Sequence, residues 1–183
     1  MTIDFRVRFF HWFLVLSFIA ASFSGLFEYK DVHIIYGHII FALLITRIIF
    51  GISSKDKNLT FGHYLHSPVD FLNHLKEFIF VKGVSITLHN PVGSYMVLII
   101  LSTLTFLVIS GVILEGIVEY SGILSFLSNN LDNQTVILVK LLHRYIAYLS
   151  IGLAFIHIIG VMFSSFKSKN NFPLLMIKGQ LDD

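Results

Sequence analysis

Four apolar stretches, each long enough to cross a lipid bilayer, constrain this sequence more than any other feature. A helix needs about 20 apolar residues to span the hydrocarbon core, and such runs occur at 9–27, 33–51, 92–114 and 135–163. Hydrophobic residues make up 55% of the 183 positions and charged residues only 13%, which excludes an ordinary soluble domain. The sequence therefore predicts an all-α integral membrane four-helix bundle, formed by a single domain over residues 1–183.

The distribution of basic residues predicts the orientation of these helices. Ten Lys and Arg residues lie on the side that carries both termini and the 53–91 loop, against three on the opposite side. Because basic loops stay in the cytoplasm, we expect both termini and this loop there, in a multi-pass protein of the bacterial inner membrane. Within the loop, residues 69–80 are expected to form an amphipathic helix on the lipid surface. No nucleic-acid partner is expected.

Four histidines lie inside the predicted spans or at their edges, and helix direction sorts them by depth. His143 and His157 are fourteen residues apart on the fourth helix, so they leave nearly the same face about 21 Å apart along the axis. His11 lies near the inner end of the first helix and His33 near the outer end of the second. Depth therefore pairs His11 with His157 and His33 with His143. Two such pairs are what bis-histidine ligation of two haem groups requires.

Other residues bear on how such a group could be held. The chain has no cysteine, so a covalent C-x-x-C-H attachment is excluded and any haem is bound non-covalently. Small residues on the histidine-bearing faces leave space for a flat macrocycle. They are Ser22, Gly25, Gly37, Ala147, Ser150 and Ala154. Small and hydroxyl residues of the third helix, Ser110 and Gly111 among them, are interpreted as sites of close helix packing.

Haem propionates are anions, and they favour arginine or lysine near the edge of the bilayer. We expect Arg8 and Arg47 beside the inner haem, and Lys140 or Arg144 beside the outer one. Arg144 points about 100° away from His143, so contact with a partner protein is the alternative for it.

Five further histidines receive no cofactor role from the sequence. His38 comes five residues after His33 and points to another face, where a structural role is favoured. The other four lie in the 53–91 loop and are His63, His66, His74 and His89. A metal site at His63-x-x-His66 is disfavoured, because neither cysteine nor a carboxylate pair accompanies it.

The motifs around the four spanning histidines resemble those of the bacterial cytochrome b561 and nickel-iron hydrogenase b-type cytochrome superfamily, in its cytochrome b/b6-like subgroup. They are Arg8-x-x-His11-Trp12, His33-x-x-x-Gly37, and Leu142-His143 followed by His157. Two further segments fit the resemblance, which covers nearly the whole chain: His89-Asn90-Pro91-Val92-Gly93 and Met176-Ile177-Lys178-Gly179. His38 departs from it, since the family often has tyrosine or an apolar residue there.

The resemblance implies a transmembrane di-haem cytochrome b that carries electrons between the quinone pool and a redox partner. It implies the ligands that depth already indicates: His11 and His157 for the inner haem b, His33 and His143 for the outer one. The implied partner is a c-type cytochrome, a dehydrogenase or a hydrogenase subunit. Quinol oxidoreductase activity and a homodimer stay open.

Two other functions compete with this interpretation. A histidine-lined ion transporter would carry carboxylates along its pathway, and the four predicted spans contain no central Asp or Glu. A membrane anchor without redox work would keep its complex active when His143 and His157 are changed to alanine.

Overall fold

Six α-helices and two short 3-10 helices make up the described part of the chain, in a computed structural model that covers residues 2–54, 60–80, 91–129 and 131–180. The α-helices are α1 (Phe5–Leu26), α2 (Lys30–Ser53), α3 (Pro68–Phe80), α4 (Pro91–Val118), α5 (Asn133–Ser168) and α6 (Phe172–Lys178). The 3-10 helices are Phe61–Tyr64 and Ser125–Asn129. Within these ranges α1, α2, α4 and α5 are long and apolar enough to cross a membrane. The all-α, four-span prediction is confirmed.

The long helices extend beyond the apolar runs that predicted them. α5 has 36 residues, and α4 continues to Val118, four residues past the predicted end at 114. An apolar run marks the part of a helix that suits lipid, whereas backbone hydrogen bonding continues into polar residues. Glu115, which the sequence places in the outer loop, therefore lies in the last turn of α4.

The amphipathic helix predicted at 69–80 is confirmed as α3, which begins one residue earlier. Ser67 forms its cap: its hydroxyl donates to the Asp70 carboxylate at 2.7 Å and accepts the Asp70 N–H at 3.1 Å. Phe71 of α3 packs against Tyr95 of α4, with ring centres 4.8 Å apart. The Tyr95 hydroxyl also donates to the backbone oxygen of His66 at 2.9 Å. These contacts join the start of α3 to the start of α4.

The start of α5, which carries two of the predicted ligands, is fixed by a side-chain cap. The Asp132 carboxylate accepts the Thr135 N–H at 3.1 Å. The hydrogen bonds from Thr135, first its side chain and then its backbone, hold the pKa of Asp132 below the ordinary value. An ionised carboxylate here also complements the positive end of the helix dipole.

Contacts divide the chain into two compact units, and the single-domain prediction stays a prediction. The first unit is Met1–Trp12, Thr46–Ile100 and Leu153–Asp183; the second is Phe13–Ile45 and Leu101–Gly152. The buried polar side chains of the described residues are all serines: Ser17, Ser24, Ser94, Ser110 and Ser150. Small hydroxyl residues let helices approach closely while the hydroxyl bonds to a backbone carbonyl, as Ser150 does to Ile146 at 2.8 Å.

In the first unit, α6 is bound against the start of α1. Arg8 Nη1 donates to the backbone oxygen of Ile177 at 2.7 Å, and Trp12 Nε1 donates to that of Met176 at 3.1 Å. Leu175 of α6 is completely buried. The segment after α5 is therefore part of the fold around the His11 end of α1.

Gly179 ends α6 in a way that another residue would disturb. Its φ is +88°, in the left-handed region, and its N–H donates to the Leu175 oxygen at 2.8 Å. A Cβ at this position would lie 2.6 Å from Cζ of Arg8. The Gly179 carbonyl accepts the Ile3 N–H at 2.9 Å. Glycine thus allows the end of α6 to lie directly on Arg8.

We expect Leu175→Ala to destabilise the protein, because it opens a cavity at a side chain that is 0% exposed. Substitutions of this kind cost about 2–5 kcal/mol. Ile177→Ala on the same helix is the matched control, since the Ile177 side chain is 58% exposed. Unfolding of the two variants in detergent measures the difference. Equal loss of stability in both would contradict the packing of α6 described above.

Candidate functional site

The four histidines predicted as ligands form two pairs. In the first unit, the ring centres of His11 and His157 are 6.5 Å apart. In the second unit, the ring centres of His33 and His143 are 6.0 Å apart and the rings are almost perpendicular, at 89°. Each ring meets the partner that helix direction predicts, and its role as a ligand stays a prediction.

These separations suit one metal ion between two imidazoles. A metal–nitrogen bond of about 2 Å and roughly 1 Å from the nitrogen to its ring centre put two opposed rings about 6 Å apart. Within the described ranges, no group of three or more His, Cys, Asp or Glu side chains could hold a metal. A metal ion bound by only two histidines needs further ligands that the described residues do not provide. The four nitrogens of a porphyrin are such a set of ligands.

A hydrogen bond fixes the tautomer of His33. Its Nδ1 lies 2.8 Å from the backbone oxygen of Ala21. A carbonyl oxygen only accepts, so Nδ1 carries the proton and donates it. The lone pair is then on Nε2. Metal-binding histidines commonly donate their second ring N–H in this way, which fixes the ring and raises the basicity of the ligating nitrogen.

Ser110 of α4 does the same for His143. The Ser110 hydroxyl donates to the Leu107 backbone oxygen at 2.7 Å. Its oxygen is 2.9 Å from His143 Nδ1 and therefore accepts the Nδ1–H. The Nε2 lone pair of His143 is left available for a metal. Sequence analysis assigned Ser110 to packing; its position near the outer end of the third span, at the expected depth of His143, was the signal that could have identified it.

Glycines next to the second pair give the imidazoles room. A Cβ on Gly25 would lie 2.9 Å from Nδ1 of His33, and one on Gly111 would lie 3.2 Å from Cε1 of His143. Gly25, expected to make space for a macrocycle, thus makes space for the His33 ring itself. A Cβ on Gly37 would meet no atom of the described residues within 4 Å. Open space therefore lies beside Gly37, as it does beside Gly152 of the same unit.

In the first unit, the polar groups around His11 are incompletely satisfied by the protein. His11 Nδ1 is buried and has no hydrogen-bond partner in the described part of the chain. A buried polar atom left in this state costs about 1–3 kcal/mol. Trp12 stands edge-on to the His11 ring, with ring centres 5.4 Å apart. Together with the opposed His157 ring, this environment fits a site that a bound group completes.

The four basic residues predicted beside the haems lie in different surroundings. Arg8 uses Nη1 for the backbone of α6, while its Nε is buried without a partner among the described residues. The Arg47 guanidinium stacks over the Phe61 ring, 4.5 Å from its centre. Lys140 and Arg144 are exposed on α5. Arg8 therefore offers a buried N–H to an anion, and the charges of Lys140 and Arg144 face outward.

The loop histidines whose side chains the structure describes, His66 and His74, lie in different surroundings. His74 Nδ1 lies 3.7 Å from a Glu77 carboxylate oxygen, and His66 Nε2 is buried without a partner in the described ranges. The His63 side chain and all of His89 lie outside the described residues, so the prediction for His63-x-x-His66 is untested.

Two contacts between basic and acidic side chains join α2 to the end of α4 and the residue that follows it in the second unit, and sequence analysis missed both. Lys30 Nζ is 2.7 Å from Glu119 Oε2, and His38 Nε2 is 3.0 Å from Glu115 Oε2. The signal for them was the spacing of the two glutamates, one helical turn apart just after an apolar run. Because the sequence analysis placed Glu115 and Glu119 in a loop, it did not consider their helical spacing.

Comparison with protein families gives one match. Residues 2–179 match a family model described as prokaryotic cytochrome b561, and this range includes all four paired histidines. Comparisons with curated proteins and with solved structures found no match.

If the His33 and His143 pair holds a haem, as the sequence predicts, we expect Gly25→Ala to weaken its binding, because the new Cβ would lie 2.9 Å from the His33 ring. Disturbing the hydrogen-bonded setting of a metal ligand costs about 10–100-fold in affinity. Gly152→Ala is the matched control, since a Cβ there meets no atom of the described residues within 4 Å. Haem per chain after dilution, measured as the pyridine haemochrome, compares the two. Equal retention would contradict the close contact between Gly25 and His33.

Proposed function

Because the chain belongs to the prokaryotic cytochrome b561 family, and is thereby a transmembrane b-type cytochrome that transfers electrons, we propose that it holds two haem b groups. His11 and His157 bind one, and His33 and His143 bind the other. The observation that carries this proposal is the pair of imidazole separations, 6.5 and 6.0 Å, each suited to one metal ion. Bound haem iron supplies reversible one-electron chemistry.

The contribution of the protein is ligation, orientation and local polarity. Ala21 and Ser110 accept the Nδ1–H groups of His33 and His143, which keeps Nε2 unprotonated and holds each ring in place. The buried Arg8 Nε–H suits a propionate oxygen on the His11 side. Arg47 is proposed for the same haem, and Lys140 or Arg144 for the other.

We propose that electrons pass between the quinone pool and a redox partner across the bacterial inner membrane. The partner classes are those of the family resemblance: a c-type cytochrome, a dehydrogenase or a hydrogenase subunit. The exposed Lys140 and Arg144 would favour an acidic partner surface. Both termini lie in the cytoplasm in this proposal, on the charge asymmetry of ten basic residues against three.

We expect the purified wild type to carry two haems per chain with a reduced-minus-oxidised b-type spectrum. His143→Ala and His157→Ala should each leave about one haem, because each removes one ligand from a different pair. His74→Ala, whose side chain faces Glu77, is the control and should keep both. A wild type that binds no haem when haem is supplied would end the proposal, and the same result supports a non-redox anchor.

The orientation can be tested with single cysteines, because the chain contains none. In spheroplasts, a membrane-impermeant maleimide should label Ser121→Cys, which lies between α4 and α5. Asn170→Cys, between α5 and α6, should be labelled only after the membrane is permeabilised. The opposite pattern of labelling would show that the positive-inside assignment is wrong.

A further inference from the structure

The His38–Glu115 contact is the one acid–base pair near the proposed ligands that the function above does not use, among the residues the structure describes. His38 Nε2 lies 3.0 Å from Glu115 Oε2, and their side chains are 44% and 12% exposed. A histidine open to its surroundings is thus backed by a nearly buried carboxylate. This arrangement is typical of histidines that take up and release protons.

The contact with Glu115 determines which nitrogen of His38 can act as a base. An ionised carboxylate oxygen has no proton to give, so the ring nitrogen 3.0 Å from it, Nε2, carries the proton of the neutral ring. The lone pair is then on Nδ1, on the side of the ring that does not face Glu115.

Both helices put this pair close to the His33–His143 pair. His38 follows His33 by five residues on α2, about 7.5 Å along the axis. Glu115 follows Gly111 by one turn on α4, and Gly111 is the residue on which a Cβ would lie 3.2 Å from the His143 ring. A molecule that touches His38 would therefore be near the proposed outer haem.

A purely structural role explains the pair less well than it explains its neighbour. Lys30 and Glu119 already join α2 to α4, and their side chains are 59% and 30% exposed. Glu115 is much more buried, and burying a carboxylate is costly even when it is paired. Gly122, with φ +74°, lies against it: a Cβ there would be 2.9 Å from Cδ of Glu115. The chain thus encloses Glu115 closely and leaves the His38 ring open.

We propose that His38 accepts the protons of a lipid-soluble quinol as it is oxidised, with Glu115 as the residue that positions it. This inference rests on the proposed function. Oxidation of one quinol to its quinone breaks two O–H bonds and releases two electrons and two protons. Haem held by the proposed ligands would supply the oxidant, since its iron can take up one electron at a time. Each proton passes to His38 Nδ1 and from there to water, so His38 is neutral again for the second.

The test compares variants in purified, haem-loaded protein. His38→Gln keeps an N–H for Glu115 and an acceptor oxygen for a quinol hydroxyl, but an amide cannot take up a proton. We expect it to lower the rate of haem reduction by duroquinol about 100-fold, the range of a lost general base. Glu115→Gln should lower it about tenfold, and Glu115→Asp should restore part of that loss. Lys30→Met removes the neighbouring ion pair and should stay within about twofold of wild type.

A second readout, independent of turnover, separates proton uptake from loss of the site. Binding of 2-heptyl-4-hydroxyquinoline N-oxide, followed by quenching of its fluorescence, should change less than about threefold in His38→Gln. Wild-type rates of reduction in His38→Gln would overturn the inference. So would a parallel loss of inhibitor binding and rate, because the pair would then shape the site rather than accept a proton.

Failure of this inference differs from failure of the proposed function. Haem content and reduction by dithionite test the cytochrome itself, and they should match wild type in every variant of the pair. Full haem loading with unchanged quinol rates would overturn the role of His38 alone. A wild type without haem would overturn the proposed function first.

Discussion

Each nitrogen of an imidazole ring among apolar helices needs a hydrogen-bond partner or a metal ion. Much of the described structure meets that requirement. Water is absent from the bilayer interior, so each polar atom there needs a partner from the protein or from a bound group. His33 and His143 each use Nδ1 for a protein oxygen and keep Nε2 for something else. Both the close glycines and the serine on α4 follow from holding those rings in one orientation.

The same constraint explains which residues are buried. The described polar side chains in the interior are serines, the smallest side chains that can return their hydroxyl proton to their own helix. Large apolar residues instead cover the exposed surfaces of the long helices, Leu16, Ile35, Phe106 and Phe155 among them. In lipid such surfaces carry no penalty. Large apolar residues are therefore found both inside, as Ile40, Leu44 and Leu104 are, and on the outer surfaces of the helices.

The length of the apolar runs was sufficient to predict the four spans, and helix geometry was sufficient to predict the meeting of His11 with His157 and of His33 with His143. These features depend on rise per residue and chain direction, which any apolar helix shares. The partners of the rings were not predictable in the same way. Ser110 and the Ala21 carbonyl reach the rings through the rotation of one helix against another, and periodicity leaves that rotation open. Glu115 was missed for a simpler reason, since a charge was taken to end the helix that contains it.

The docking of α6 on α1 has a consequence for biosynthesis. Arg8 and its acceptor Ile177 are 169 positions apart, so at 5–20 residues per second a ribosome needs on the order of 10–30 s to join them. During that interval the N-terminal helix is already in the translocon or bilayer with a guanidinium and an indole still unsatisfied. Insertion of the early helices is thus separated in time from the docking of α6 on the His11 end of α1. A chaperone or a cofactor can bind that end of α1 in the interval.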